Sequence, residues 1–507
     1  MAQIVWFKRD LRVQDHQPLA AAAEAGAVLA LYIIEPDYWA QPDAAQRHWD
    51  FIRESLVELD GALRERGIGL MVRTGEATEV LAAVHAEHGI DTLYAHEETG
   101  NHWSYQRDEA VRAWCRDRGV VVREHPNFGV VRGLRDRDAW HARWEARMRE
   151  SVLEPPQRIR PAAPPGALVA EGLPMVLGYE HRPCPERQRG GRQAGQGLLA
   201  SFLMERGQGY RSAMSSPLTG EWACSRLSPH IAYGTLSLRE IVQTHRRRWA
   251  EAKRGSGWPQ SLKSLESRLH WHCHFIQKLE DQPDIEFRNL HRGYDGMREH
   301  EFDAGLFRAW AEAETGIPFV DACMRMLHQT GWLNFRMRAM LMAFAGYHLW
   351  LHWREPALHL ARVFTDYEPG IHYSQSQMQT GTTGINAIRI YNPVKQSHDQ
   401  DPDGAFLRRF LPQLAEVPAP WIHEPWRLPP EWQRHYGVRI GTDYPAPVID
   451  HQAAAREARR RIKAHRAGND MHAEADRIRQ RHASRKRPAE SRRSRGSSNP
   501  SQGELDL

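Results

Sequence analysis

Residues 1–130 alternate short apolar runs with helix-length amphipathic ones, and this alternation constrains the fold more than any other feature of the chain. The apolar runs are Ile4–Phe7, Ala27–Ile34, Gly69–Val72, Thr92–Tyr94 and Val120–Arg123. Helical patterns lie between them at Gln17–Glu24, Gln46–Arg66, Ala77–His88 and Tyr105–Arg118. Such an order predicts an α/β domain, Rossmann-like, with a parallel five-stranded sheet covered by helices on both faces. No G-x-G-x-x-G follows the first run, so the ordinary dinucleotide fingerprint is missing. The strand ends remain a place for a ligand.

The pattern then changes. A linker is expected over 133–197, where Pro155-Pro156, Pro161, Pro164-Pro165 and the Gly/Arg/Gln run from Gln188 to Gly197 interrupt regular elements. A larger all-α domain is expected over 198–450, with helices at Leu236–Lys253, Ser261–Glu280, Phe307–Glu314, Pro318–Gln329, Asn334–His352 and Asp403–Leu411. Inside it, Asp366–Gln396 follows neither a helical nor a strand period, being crowded with amides, hydroxyls and glycines. About thirty such residues must satisfy their backbone some other way, so a loop folded around a bound polar ligand is expected.

The 507 residues include five scattered cysteines, Cys115, Cys184, Cys224, Cys273 and Cys323, with no Cys-x-x-Cys pair. That argues against disulfides, structural zinc and a four-cysteine cluster. No apolar run reaches 18 residues, and Met1-Ala-Gln runs straight into a strand-like segment, so a cytoplasmic protein without membrane association is expected. The net charge of +5 is uneven, since residues 451–507 carry +8 and the rest −3. The tail reads as helical and then, past Ala483, as a basic serine-rich end, either a solvated extension or a nucleic-acid-binding arm. Eighteen tryptophans suit aromatic packing, base stacking or electron hopping.

Three sets of residues, Val5–Arg12, Ser225–Pro229, and the series Gly331-Trp332, Trp353-Arg354-Glu355 and Ile390–Pro393, keep one order along the chain. Together they resemble the photolyase/cryptochrome flavoproteins. The resemblance implies an α/β domain with room for an antenna chromophore and a helical domain holding a folded FAD. It also implies UV-damaged DNA as the partner of a monomer that splits pyrimidine dimers in blue light. A blue-light receptor and a light-independent nucleic-acid-binding flavoprotein are the alternatives.

By the same resemblance, Tyr210 and Cys224, Ser225, Arg226, Leu227 and Ser228 hold the FAD phosphates. Read on their own, Ser225 and Ser228-Pro229 are helix-start residues that suit either plain N-capping or a diphosphate. Trp271 matches the cavity tryptophan beside the flavin, Trp353 an electron-transfer tryptophan, and Arg338 with Asp366 the pair over the flavin ring. Tyr367, Glu368 and His372 complete the flavin wall, while Arg268, Trp271, His272, Phe335, Arg336 and Gln396 face DNA. His270 and His274 share a helical face but lack a third ligand of matching spacing, so no metal is expected. Glu97–Asn101 lies where family members contact the antenna.

Departures from the family pattern accompany these matches. Arg268 replaces a lesion-binding glutamate, Ser374 and Ser376 stand where a second cavity tryptophan belongs, and Phe335 replaces an asparagine. In the electron chain, Tyr373 or Ser374 holds the proximal position and His300 the distal one. The asparagine that faces flavin N5 in the family has no clear counterpart, and the resemblance leaves His372 or Gln375 for that space.

Overall fold

The computed structural model describes residues 2–164, 173–175, 182–467 and 471–483. Parts of the expected linker and the basic end past Ala483 lie outside the described residues.

Five strands form one parallel sheet: β1 (Ala2–Phe7), β2 (Val28–Ile34), β3 (Leu70–Thr74), β4 (Ile90–His96) and β5 (Val121–His125), in the order β3-β2-β1-β4-β5. β1 and β2 are buried along their whole length, as expected of strands covered on both faces. The crossover helices are α1 (Gln17–Ala25), α2 (Gln46–Arg64), α3 (Ala77–His88) and α4 (His102–Asp117). Glu76 caps α3 and Asn101 caps α4 through their side-chain oxygens. The strand order reverses between β1 and β4, which opens a crevice at their C-terminal ends.

The second half is helical. Its elements used below are α5 (Trp258–Asp281), α6 (Phe335–Ala343), α7 (Arg354–Val363), α8 (Pro369–Thr380), α9 (His451–Ala467) and α10 (His472–His482). Among the described residues, no helix is long and apolar enough to cross a membrane.

Three expectations change. The expected linker contains a helix, Trp140–Arg149, because Trp140, Trp144 and Met148 form an i, i+4, i+8 stripe buried in the core beside α5. The helix expected over Asn334–His352 ends at Ala343 and passes into a π turn, Phe344–His348, followed by Trp350 with φ 55°.

The largest correction falls on Asp366–Gln396, which is not a loop throughout: Pro369–Thr380 is the helix α8, started by Pro369 and stopped by Gly381 at φ 80°. Its apolar period is missing because α8 buries polar residues instead. Ser374, Ser376, Gln377, Gln379 and Thr380 are all buried. Gln377 Nε2 donates to Ile285 O (2.8 Å) and Arg288 O (2.7 Å), while its Oε1 accepts from Leu290 N (2.6 Å). Gly370 lets α8 press against α5, since a Cβ there would sit 2.6 Å from Ile276 Cα.

The C-terminal helices dock on this half. Ala458 and Ile462 of α9 pack with Tyr294, Met297 and Tyr347. In α10, Glu474 accepts from Arg292 N (3.0 Å), Arg481 donates to Asp281 O, and His482 pairs with Gln282 (2.8 Å).

Candidate functional site

Arg338 and Asp366 form the pair expected from the sequence. Nη1 and Nη2 of Arg338 donate to the two carboxylate oxygens at 3.0 and 2.7 Å, Nε donates to Leu333 O at 2.6 Å, and the guanidinium lies 4.0 Å over Phe364. This two-pronged geometry fixes the cation in one orientation. Both residues lie where one apolar segment meets the next: Arg338 inside α6, Asp366 in the turn between α7 and α8.

The rest of that turn is held from the α/β half. Arg9, just past β1, donates to Tyr367 O (3.1 Å) and Glu368 Oε2 (2.9 Å), and its Nε bonds Ala232 O (3.0 Å). From α2, His48 Nε2 donates to Phe364 O (2.9 Å) and its ring stacks on Tyr367 at 5.8 Å. Burial pushes the Glu368 carboxyl up to about 7 against the opposing pull of Arg9. Burial lowers His372 to about 4, and since Ala357 O only accepts, His372 Nε2 carries the proton (2.7 Å).

The segment Cys224–Ser228 is not a capped helix start. Ser228 is the first residue of a five-residue helix whose N-cap, Leu227, offers no side-chain bond. Instead Arg226 takes φ 60° and Leu227 returns to −86°, an alternation of hand of the kind that turns successive N–H groups toward an anion. Arg206, unmarked by the sequence reading, braces this turn from behind through Cys224 O (2.7 Å) and Trp222 O (2.6 Å). The Arg226 side chain lies 4.1 Å over Trp332 and bonds Gln188 (3.1 Å). Leu227 is a core residue, 1% exposed. Ser225 and Ser228 are both half-buried. Burial pushes the Cys224 thiol and the Tyr210 phenol each up to about 12.

On α5, Trp271 is half-buried, stacked on Phe275 at 5.3 Å and edge-on to His274 at 4.9 Å. Arg268 lies close enough to the Tyr210 hydroxyl for its charge to oppose the upward push of burial on that phenol. His272 departs from its expected place at the DNA face: its ring stacks edge-on to Phe128 at 5.0 Å, in the seam between the halves, and burial lowers it to about 3. Phe335 is 41% exposed at the start of α6, and Arg336 follows, half-buried. Asn334 Nδ2 bonds Ser215 O (2.8 Å) and Ser216 Oγ bonds Gln400 O (2.7 Å), which ties α6 to the helix Pro393–Gln400 that carries Gln396.

Trp353 is fully buried and donates to Asn289 (2.8 Å), with Tyr373 at 6.4 Å and His352 at 5.4 Å. Tyr373, not Ser374, is therefore the aromatic next to it. His300, expected as the distal neighbour, is exposed and makes no ring contact among the described residues, while His352 is the histidine beside Trp353. Asp43 is a further group the sequence reading missed, since nothing marks a lone aspartate between α-helical segments.

Asp10, His16 and His96 bring three ligand-type atoms together. Leu19 N–H donates to His16 Nδ1 (3.1 Å), so His16 Nε2 bears the proton given to Asp10 Oδ2 (2.9 Å), and His96 Nδ1 donates to the same oxygen (2.7 Å). Hydrogen bonding accounts for the cluster. His270 and His274 diverge, toward His141 (3.0 Å) and Arg137 (2.6 Å).

Glu97–Asn101 closes the crevice at the ends of β1 and β4. With Lys8, Arg9, Asn127, Phe128 and Glu368, residues 97–99 line a narrow space there.

Two family profiles match the chain: DNA photolyase over residues 3–132, and FAD binding domain of DNA photolyase over residues 264–464. The deoxyribodipyrimidine photo-lyase of Streptomyces griseus is 32% identical over 463 residues, covering 88% of this chain and 96% of that protein. Cryptochrome DASH of Gloeobacter violaceus is 31% identical over 488 residues, covering 90% and 95%. The archaeal photolyase from Sulfolobus tokodaii, solved with two FAD molecules, matches with TM-score 0.73 at 25% identity over 92% of this chain and 100% of that one. The chain belongs to the photolyase/cryptochrome family, and its helical half is an FAD-binding domain.

The residues present suit that cofactor. Glu368 Oε1, His272 Nε2 and Gln375 Nε2 are buried without a hydrogen-bond partner among the described residues, which a polar ligand would relieve. The alternating turn at Arg226–Leu227 suits its diphosphate.

Proposed function

We propose that the protein is a light-driven DNA photolyase that splits pyrimidine dimers with an electron from reduced FAD. Trp271 carries this reading: a half-buried indole, stacked on one side, on the same helix as Arg268 and near the flavin wall of α8. Bound FAD supplies the photoexcitable redox centre and the electron. Arg338, locked by Asp366, presents a fixed cation that favours the reduced, anionic ring. Tyr210 and Cys224–Ser228 hold the diphosphate, and Tyr367, Glu368 and His372 line the ring side. Burial raises the Glu368 carboxyl to about 7, so near neutral pH a proton on the oxygen that Arg9 leaves free would let it donate to the cofactor.

Arg268, Trp271, Phe335, Arg336 and Gln396 form the DNA face, with stacking on Trp271 contributing about 1–3 kcal/mol per base. His272 is withdrawn from that face by its burial against Phe128. Under this reading a second, light-gathering chromophore would enter at the crevice by Glu97–Asn101, whose narrow space would have to widen around it. The test is repair itself: the reduced protein is mixed with UV-damaged oligonucleotide and illuminated with blue light. Pyrimidine absorbance returns above the dark control if the proposal holds. No return, with flavin bound and reduced, overturns it.

A blue-light receptor is the second reading, favoured by the buried Ser374 and Ser376 in place of a cavity tryptophan and by the docked helices α9 and α10. Under that reading, light changes the protease sensitivity of residues 451–483 while leaving damaged DNA unrepaired.

A further inference from the structure

Asp43 lies between Trp39 and α2, on the α/β half, yet reaches the flavin wall. It is 3% exposed and has no cationic partner among the described residues. Its donors are all neutral: Asn101 Nδ2 at 3.1 Å, the Tyr367 hydroxyl at 2.6 Å and the Tyr373 hydroxyl at 3.2 Å, every one of them on Oδ2. Asp43 Oδ2 is thus in direct hydrogen-bond contact with both phenols and offers an acceptor for a proton released beside it. Burial keeps both phenols far above their ordinary range, so each holds its proton at rest.

Tyr373 also has the right neighbours for electron transfer. Its ring lies 6.4 Å from Trp353 and 5.5 Å from His372, so it stands between the buried indole and the flavin wall. The chemistry of a phenol there differs from that of an indole. An indole can lose an electron and persist as a cation radical, whereas an oxidised phenol is a very strong acid and needs a base in hydrogen-bond contact.

We propose that Tyr373 and Asp43 form a proton-coupled electron donor to the flavin, an inference that rests on the light-driven reading above. Tyr373 gives one electron to the photoexcited, oxidised flavin. The Tyr373 O–H bond breaks and its proton passes to Asp43 Oδ2, leaving a neutral phenoxyl radical facing a carboxylic acid. An electron returning from the flavin restores the O–H bond by the same path. Tyr367 is a positioning residue: it shares the Asp43 oxygen, but its ring contacts are His48, His372 and Tyr373, not Trp353.

Flash excitation of the FAD-loaded, oxidised protein tests this, read by transient absorption, electron paramagnetic resonance and infrared difference spectra in H2O and D2O. The expected result is a phenoxyl radical that forms more slowly in D2O, with a protonated-carboxyl band appearing alongside it. Asp43→Asn lowers the radical yield on the order of a hundred-fold, the scale of a lost general base. Tyr373→Phe abolishes the phenoxyl signal and Tyr367→Phe retains it. A tryptophan radical in the wild type, with no deuterium effect and no carboxyl band, overturns the inference without recourse to any variant. A flavin that light cannot reduce even with added thiol, although dithionite reduces it, overturns instead the light-driven reading beneath it.

Discussion

The floor of the site and its rim are built on opposite principles. On the floor, Arg338, Asp366, Tyr367, His372 and Gln377 each have named partners at hydrogen-bond distance, several of them reaching across from the α/β half. On the rim, Phe335 is exposed, and Arg336 Nε and Gln396 Oε1 are left without partners among the described residues. The braced residues of the floor fix the pocket's shape and leave Glu368 Oε1 and Gln375 Nε2 for the cofactor, whereas the rim keeps its hydrogen-bonding capacity for something that arrives. The difference explains why the cofactor is the firm part of the identity and the substrate the part to be tested.

The largest expected effect is on the floor. Gln377→Leu orphans Leu290 N, Ile285 O and Arg288 O, each costing about 1–3 kcal/mol, and denaturant unfolding should show a loss of several kcal/mol. Unchanged stability would mean that the polar interior of α8 is not structural. Arg338→Ala comes next: it strands the buried Asp366 carboxylate, a loss of roughly 3 kcal/mol, and the purified protein should retain little FAD.

Acid weakens the floor by a different route. Burial holds His48 neutral with a pKa of about 4, against an ordinary value of 6.5. The unfolded chain therefore binds a proton as pH falls through 6.5 while the folded one does not until about 4, so stability falls as pH drops across that window. The loss is roughly 2 kcal/mol by pH 5, and His48→Gln should flatten this part of the pH–stability curve.

Rim substitutions should spare stability and act on binding. Trp271→Ala is expected to weaken damaged-DNA binding by about 1–3 kcal/mol. Arg336→Gln should have the smallest effect, making the slope of log affinity against log salt less negative by about 1. A rim variant that unfolds the protein would erase the distinction between the two regions.

The alternating pattern of residues 1–130 was legible because each strand is short, apolar and bounded by a crossover helix, and all five strands occur where expected. The Arg338–Asp366 pair was legible through family resemblance, and its geometry agrees. Helix α8 was not legible, because periodicity detects a helix with one apolar and one polar face, and α8 buries amides and hydroxyls on several sides. His272 was misplaced because it lies one residue from Trp271, and a 100° step around α5 turns it into the seam. Asp43 and Arg206 carried no local signal, since each acts on a hydroxyl or backbone group outside its own element, and Arg9 was marked as part of a motif but not for its hold on Tyr367 and Glu368.

By itself, the sequence determined the two architectures through their local period, and the cofactor class through the family resemblance that its short motifs carry. Only the tertiary structure decided which groups share a proton or a charge. Tyr373 and Asp43 are 330 positions apart, and their 3.2 Å contact exists because two domains close on one turn. Burial then set the titration of Glu368, His48 and His372, and burial is a property of the packed whole, not of any segment.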